Sequence, residues 1–230
     1  MKRKKMFIFT VISMLFLISC SQEEDVIYSC DKTTDTWVKD HLTEIRKMSR
    51  TQWKNLDPNL GIAVYRAFSD EQKKEFWKEK FKEVQNMDWS EDELLHIQNA
   101  EYFVFSHDFI FLERKLTEEE NDELDLYFYK WMKYAEENFE WDIQLAYAIV
   151  ATGYSLNNDK KNPIKNPYTA KRFISTTTED FGTCDCNPSF IIPCGFISSI
   201  SCQSVNCKDT PHGCGWLMAQ SCTGVCLLEQ

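Results

Sequence analysis

The sequence predicts a mostly α protein, with an N-terminal helical bundle followed by a small disulfide-rich C-terminal module. Three observations carry that expectation. From Thr33 to Tyr154 the helix breakers are Pro58, Gly61 and Gly153, and so few over that length favour helices joined by short turns. Apolar residues in the same stretch recur at helical spacing. Eight of the ten cysteines then fall in residues 184–230: Cys184, Cys186, Cys194, Cys202, Cys207, Cys214, Cys222 and Cys226. A segment so short buries too little apolar surface to fold on hydrophobic contacts alone, and disulfides are the usual remedy outside the reducing cytoplasm. It is therefore expected to be an autonomous module of an exported protein.

Residues 1–19 read as an export signal. Lys2, Arg3, Lys4 and Lys5 form a positive n-region. Phe7 to Ile18 is an apolar run of about twelve residues, shorter than a membrane-spanning helix needs. It ends in Leu17-Ile18-Ser19-Cys20, which resembles the lipobox of bacterial lipoproteins. That resemblance implies cleavage after Ser19 and lipidation of Cys20. The alternative is an ordinary secretory signal with a coincidental cysteine. Each buried acyl methylene contributes about 0.8 kcal/mol, so a multiply acylated Cys20 anchors a chain stably. Residues 20–32 form an acidic tether that opens Ser21-Gln22-Glu23-Glu24-Asp25. Such a run resembles the signal that sends some lipoproteins to the outer face of the outer membrane, and it equally suits a solvated spacer. The expected location is the cell envelope, at the outer membrane and surface-exposed, with the tail a candidate for release.

Residues 33–156 are the expected helical domain, with five or six helices. Val38, Leu42, Ile45 and Met48 mark one apolar stripe, and Trp77, Phe81 and Val84 a second. Leu95, Tyr102, Phe105 and Phe109 mark a third. Leu124, Tyr127, Phe128, Trp131 and Ala135 mark a fourth, and Trp141, Leu145, Ala148 and Ile149 a fifth. Ser90 with Glu93 and Thr117 with Glu120 match the capping box that opens a helix. Asp57-Pro58 matches a turn followed by a first-turn proline. The many aromatics are read as the core of this bundle.

The net charge is −10, and the acidic excess lies in residues 20–158. An acidic body argues against nucleic acid as a partner, because binding phosphate backbones needs a basic face. Residues 157–183 read as a linker. Asn157 to Pro163, Asn166-Pro167 and Ser175 to Thr178 are rich in residues that favour turns or extended chain. Lys171-Arg172 within it is a candidate site for a trypsin-like protease.

The tail, residues 184–230, opens with Cys184-x-Cys186 and continues through Cys194, Cys202 and Cys207 to Thr210-Pro211-His212-Gly213-Cys214-Gly215-Trp216, then Cys222 and Cys226. Gly213 and Gly215 permit tight or positive-φ turns around Cys214, and Pro193 and Pro211 stiffen two more. Each disulfide is expected to contribute about 2–4 kcal/mol. Lipidation of Cys20 would leave Cys30 as the odd thiol once the eight tail cysteines pair with one another, and the pairing is open. Phe190-Ile191-Ile192 and Phe196-Ile197 supply either a mini-core or a membrane-engaging patch. The order of cysteines and the T-P-x-G-C-G core resemble those of the fulvocin C-related bacteriocin family. The resemblance covers about residues 184–226. Trp216 sits nearer the Cys-Gly pair than in that pattern, and the Cys194–Cys202 and final cysteine gaps are longer. The resemblance implies an exported lipoprotein whose tail acts on a competitor's cell envelope, with Trp216, Phe190 and Phe196 as candidate target contacts.

Two other readings belong to different classes: a non-toxic surface lipoprotein with a cysteine-rich binding module, and an envelope enzyme. The sequence holds no G-x-S-x-G, H-E-x-x-H or phosphate-cradling glycine loop. His41, His96 and His107 lie on expected helices with no evident nucleophile beside them, so no catalytic residue or cofactor is assigned. Zinc is disfavoured because the tail has no C-x-x-C pair and only one histidine, His212, although Cys222 and Cys226 fit ligand spacing loosely.

Overall fold

The computed structural model describes residues 26–29, 31–159, 163, 186–191, 200–204 and 208–228. These residues form a mostly α protein with a small C-terminal strand region. The helices are α1 (Lys32–Asp40), α2 (Leu42–Ile45), α3 (Arg50–Trp53), α4 (Pro58–Arg66), α5 (Asp70–Gln85), α6 (Glu91–Ser106), α7 (Glu118–Phe139) and α8 (Ile143–Val150), with a 3-10 turn at Asp108–Phe111. Their starts follow from local chemistry. Ser49–Gln52, Ser69–Gln72, Ser90–Glu93 and Thr117–Glu120 all close capping boxes. Asp31 and Asp142 accept from Thr34 N and Leu145 N at the heads of α1 and α8. Each cap satisfies backbone donors that the first helical turn leaves unpaired. Pro58 opens α4, where its missing N–H costs nothing.

The second, fourth and fifth stripes face the core, where Trp77, Phe81, Val84, Leu124, Phe128, Trp131, Ala135, Leu145, Ala148 and Ile149 are buried. The third is out of phase. Leu95 and Tyr102 are 56% and 78% exposed, while α6 buries His96, Ile97, Ala100 and Val104. The true core stripe contains a histidine, and that hides its phase. His96 stacks flat on Trp131 at 4.8 Å and meets the Trp131 carbonyl through Nε2 at 3.0 Å. Trp131 Nε1 in turn donates to the His96 carbonyl at 3.0 Å. This reciprocal pair ties α6 to α7.

Buried cations organise the other end of the bundle. Arg50 Nε donates to the Gly153 carbonyl at 2.8 Å, Lys80 Nζ to the Tyr154 carbonyl, and Lys54 Nζ to Ser155 Oγ at 2.8 Å. Three basic side chains thus clasp three consecutive residues just past α8, and burial drives the Lys80 amine well below its ordinary value. Glu83 bridges Arg50 at 2.9 Å and Lys54 at 3.1 Å. These two cations hold its carboxyl down near pH 2, against the opposing effect of burial.

The strands are β1 (Ile200–Ser204), β2 (Thr210–Cys214), β3 (Gln220–Cys222) and β4 (Gly224–Leu228). β1 pairs antiparallel with β4, placing Cys202 opposite Cys226. β2 pairs antiparallel with β3 from Thr210↔Cys222 to Cys214↔Gln220, with an irregularity between. A 3-10 turn, Trp216–Met218, joins β2 to β3.

The small C-terminal module shares its core with the helices. Phe190, Trp216, Leu217, Met218 and Ala219 belong to the same hydrophobic cluster as the helices. The disulfides add to a core that the whole chain builds.

Two glycines test this packing. A Cβ at Gly153 would lie 2.2 Å from Phe76 Cζ and 3.0 Å from Trp53 Cζ3. At Gly61, inside α4, it would meet only ordinary contacts at 3.6 Å. Gly153→Ala is therefore expected to destabilise by about 1–3 kcal/mol through overpacking. Gly61→Ala is expected to stabilise by about 0.5–1 kcal/mol through helix propensity. Urea denaturation of the two variants checks both signs.

Candidate functional site

The site with the most unusual chemistry is the seat of the β2–β3 hairpin on the helical body. Trp216 is 3% exposed. It stacks on Phe128 of α7 at 5.1 Å and meets Phe190 edge-on at 4.9 Å. Leu217 and Met218 beside it adopt left-handed backbone, with φ of 55° and 53°. Such backbone costs roughly 1–3 kcal/mol per residue and persists only where packing over-determines it. Here both residues are buried.

Polar pins surround this apolar plug. Trp77 Nε1 donates to Tyr65 Oη at 3.0 Å, and Tyr65 Oη donates to the Leu217 carbonyl at 3.1 Å. Gln220 Oε1 accepts from Trp216 N at 3.1 Å, while its Nε2 donates to Asp125 Oδ1 of α7 at 2.9 Å. Burial raises the Asp125 carboxyl above its ordinary range, and the Gln220 bond opposes that shift. Lys115 pairs with Asp209 at the rim. Gly215 has φ 66°, and a Cβ there would overlap Gln220 Oε1 at 1.7 Å.

Arg66, at the end of α4, is buried. Its Nε donates to the His212 carbonyl at 3.0 Å and its Nη1 to the Tyr28 carbonyl at 2.9 Å. Its Nη2 lies 3.3 Å from Cys222 Sγ. Gly213, at φ 106°, lets the hairpin come this close, since a Cβ would sit 2.8 Å from Arg66 Nε. Beneath the hairpin, His212 and Lys73 are buried, and Lys73 Nζ reaches no hydrogen-bond partner, while the His212 ring has the Leu112 and Ala219 backbone beside it. Desolvation, with Lys73 nearby, pushes His212 down to about 3. Desolvation pushes Lys73 down to about 8, against the pull of Glu113 and Asp70.

Among the tail cysteines, Cys186 bonds to Cys202 and Cys214 to Cys222, and Cys226 is also disulfide-bonded. Cys20, Cys30, Cys184, Cys194, Cys207 and Phe196 lie outside the described residues, as do the signal segment and most of the linker. Trp216 and Phe190, the candidate target contacts, lie inside the protein, as the mini-core reading of the Phe190 patch has it. Both are buried in the shared core, because the helical body supplies the Phe128 and Tyr147 rings that cover them. His41, His96 and His107 each set a ring nitrogen against a backbone carbonyl, a structural arrangement. Among the described residues no group of three His, Cys, Asp or Glu is placed to hold a metal ion, and no helix is long and apolar enough to cross a membrane. A groove of about 210 Å³ is lined by Arg46, Ser49, Gln72 and Glu75 among others. Its polar groups serve the fold: Arg46 pairs bidentately with Glu113, and Gln72 donates to the Ile45 and Met48 carbonyls.

Sequence reasoning missed Arg66, Lys73 and the role of His212. A signal existed. Arg66 interrupts the apolar run Ile62-Ala63-Val64-Tyr65 and Ala67-Phe68. Lys73 and Lys80 fall in helical phase with Trp77 and Val84. Comparison with known proteins finds no matching family model, no matching curated protein and no matching solved structure.

Three expectations follow from this seat. Trp216→Ala should cost about 3–5 kcal/mol of stability by emptying a filled core position, read by thermal or urea unfolding. Lys73→Met should stabilise the protein at neutral pH by about 1–3 kcal/mol, the usual cost of an unsatisfied buried polar group. The native Lys73 amine releases its proton near 8 and the unfolded one near 10.5. Between those values the unfolded chain holds the extra proton, so wild-type stability rises with pH there. The advantage of the variant should therefore be full below pH 8 and fade towards 10.5. His212 acts at the other end. Its native value near 3 lies below the ordinary 6.5, so stability should fall as pH drops through that window. Melting temperatures across pH test both.

Proposed function

We propose that this chain is a non-enzymatic, lipid-anchored envelope protein whose cysteine-rich tail works as a fixed binding element, seated on the helical body. The observation that carries this reading is the burial of Trp216 between Phe128 and Phe190. A tail built for delivery would keep its aromatic anchors for a target, whereas this one spends them on the body. Removing it would also strip Arg66 and Tyr65 of acceptors they use while buried. Membrane attachment rests on the lipobox-like Leu17-Ile18-Ser19-Cys20, and the polar acidic run after it suits exposure at the outer surface. The binding partner on this reading belongs to the envelope or to the medium around it, and the net charge of −10 argues against nucleic acid.

The second reading is a bacteriocin-like protein. The specific observation in its favour is the cysteine order with Thr210-Pro211-His212-Gly213-Cys214-Gly215. On that reading the seat restrains a latent tail until it is released.

One experiment separates them. Full-length oxidised protein is cut with trypsin under native conditions at Lys171-Arg172 and passed over a sizing column. The fixed-tail reading expects the C-terminal fragment to travel with the body and to leave neighbouring strains unharmed. A fragment that leaves as a folded, oxidised module and kills a neighbouring strain overturns it in favour of the bacteriocin-like reading. Anchoring is tested separately: Cys20→Ser should move the protein from the membrane fraction to the soluble fraction.

A further inference from the structure

We infer that Cys214–Cys222 is a thiol–disulfide exchange site, attacked at Cys214 by an external dithiol and releasing Cys222 as a thiolate held by Arg66. This rests on the seated tail described above, and not on the lipid anchor or the partner.

The two sulfurs of this bond sit in different surroundings. Cys222 is fully buried, with the Arg66 guanidinium 3.3 Å from its sulfur. A guanidinium stays charged under all ordinary conditions. Burial raises the pKa of a cysteine thiol and a cation in direct contact lowers it; with the guanidinium against the Cys222 sulfur the contact is taken to win, and the sulfur with the lower pKa leaves faster in exchange. Lys73 of α5 and the neutral His212 ring of β2 occupy the same interior, beside Arg66 of α4. The His212 carbonyl lies 3.5 Å from the Cys222 sulfur and would accept from a neutral thiol there. It is a dipole that already accepts from Arg66, and the full charge of the guanidinium outweighs it. Both cysteines are buried, and Cys214, 6% exposed against 0%, is the one nearer solvent, at the strand end between Gly213 and Gly215. The Cys186–Cys202 bond, which joins β1 to the segment paired with Gly224, is the internal comparison, and the guanidinium–sulfur contact belongs to Cys222.

The step balances as follows. One thiolate of the dithiol attacks Cys214 Sγ, the Cys214–Cys222 bond breaks, and its electron pair goes to Cys222 as a thiolate against Arg66. The second thiolate of the reagent then displaces Cys214 from the mixed disulfide. The reagent leaves as a cyclic disulfide, Cys214 takes a proton from water, and the protein has gained two electrons. Arg66 stays compensated after reduction, since it exchanges a neutral sulfur for an anionic one. The hairpin loses the covalent closure across the turn that holds Leu217 and Met218 in left-handed backbone.

The test is a dithiothreitol titration of the full-length oxidised protein, with acid quench, alkylation and peptide mass spectrometry of each cysteine. The inference expects Cys214–Cys222 to open at about tenfold less reductant than Cys186–Cys202, equivalent to about 30 mV. Arg66→Met should cancel that difference and Arg66→Lys should keep most of it. A second measurement covers the case in which Arg66→Met fails to fold. Ultraviolet thiolate absorbance against pH, in Cys214→Ser compared with Cys222→Ser, should place the freed Cys222 thiol below the ordinary value of about 8.5 and the freed Cys214 thiol near it. Opening of Cys214–Cys222 after Cys186–Cys202, or a Cys222 thiol at or above the ordinary value, overturns the inference. Sizing-column behaviour of the trypsin-cut protein before reductant is added reads the seating separately. A tail that dissociates while still oxidised counts against the seated tail itself, whatever the order of reduction.

Discussion

The constraint on which the rest depends is the burial of Arg66. A guanidinium cannot shed its charge, so placing one inside obliges the chain to bring acceptors to it. The acceptors here come from segments far apart in sequence: the Tyr28 carbonyl ahead of the first helix, and the His212 carbonyl and Cys222 sulfur of the hairpin. One side chain at the end of α4 thereby fixes the approach of the N-terminal segment and the seat of the tail. The aromatic plug then fills the space that this arrangement defines. The order of cause matters, because apolar packing alone tolerates sliding while a fork of directed N–H groups does not.

The same logic recurs through the body with a consistent sign. Among the described residues the buried charged side chains, Arg50, Arg66, Lys73 and Lys80, are all basic. Backbone carbonyls answer much of this charge, as at Gly153, Tyr154 and His212. A chain of net charge −10 thus keeps cations inside and displays its carboxylates. The acidic exterior is amplified because part of the compensating charge never reaches solvent. This arrangement costs desolvation energy, and Lys73 shows that cost in the depressed value of its amine.

The helical class was legible because it rests on short-range rules. Ser90–Glu93 and Thr117–Glu120 announce helix starts that depend on neighbours three residues away. Periodicity gave the faces of α5, α7 and α8 for the same reason. It failed on α6 because the core there accepts His96, a residue that hydropathy places outside, while Leu95 and Tyr102 face solvent. The contact between the tail and the body is set at a different level. The tail's cysteine density suggested a unit that stands alone, and nothing local records that Trp216 would find Phe128 across the chain. Buried Arg66 and Lys73 left a trace, basic residues in apolar phase, yet what answers them is set by tertiary geometry. Glycines flanking Cys214 were read as turn-formers. Gly213 and Gly215 do adopt positive φ, and they also clear space for Arg66 and Gln220.

The left-handed pair Leu217 and Met218 has a consequence for how the molecule comes into being. These residues complete a core nearly all of whose other members precede them in the chain, so they are made after the helices they pack on. Until they arrive, α4 and α7 present an open hydrophobic slot, and Arg66 lacks its hairpin acceptors. The final turn is also conformationally costly and forms only against a finished slot. Completion of the body therefore waits until the hairpin has followed the helices out. A chain cut short anywhere before Trp216 is born with its interior unsealed.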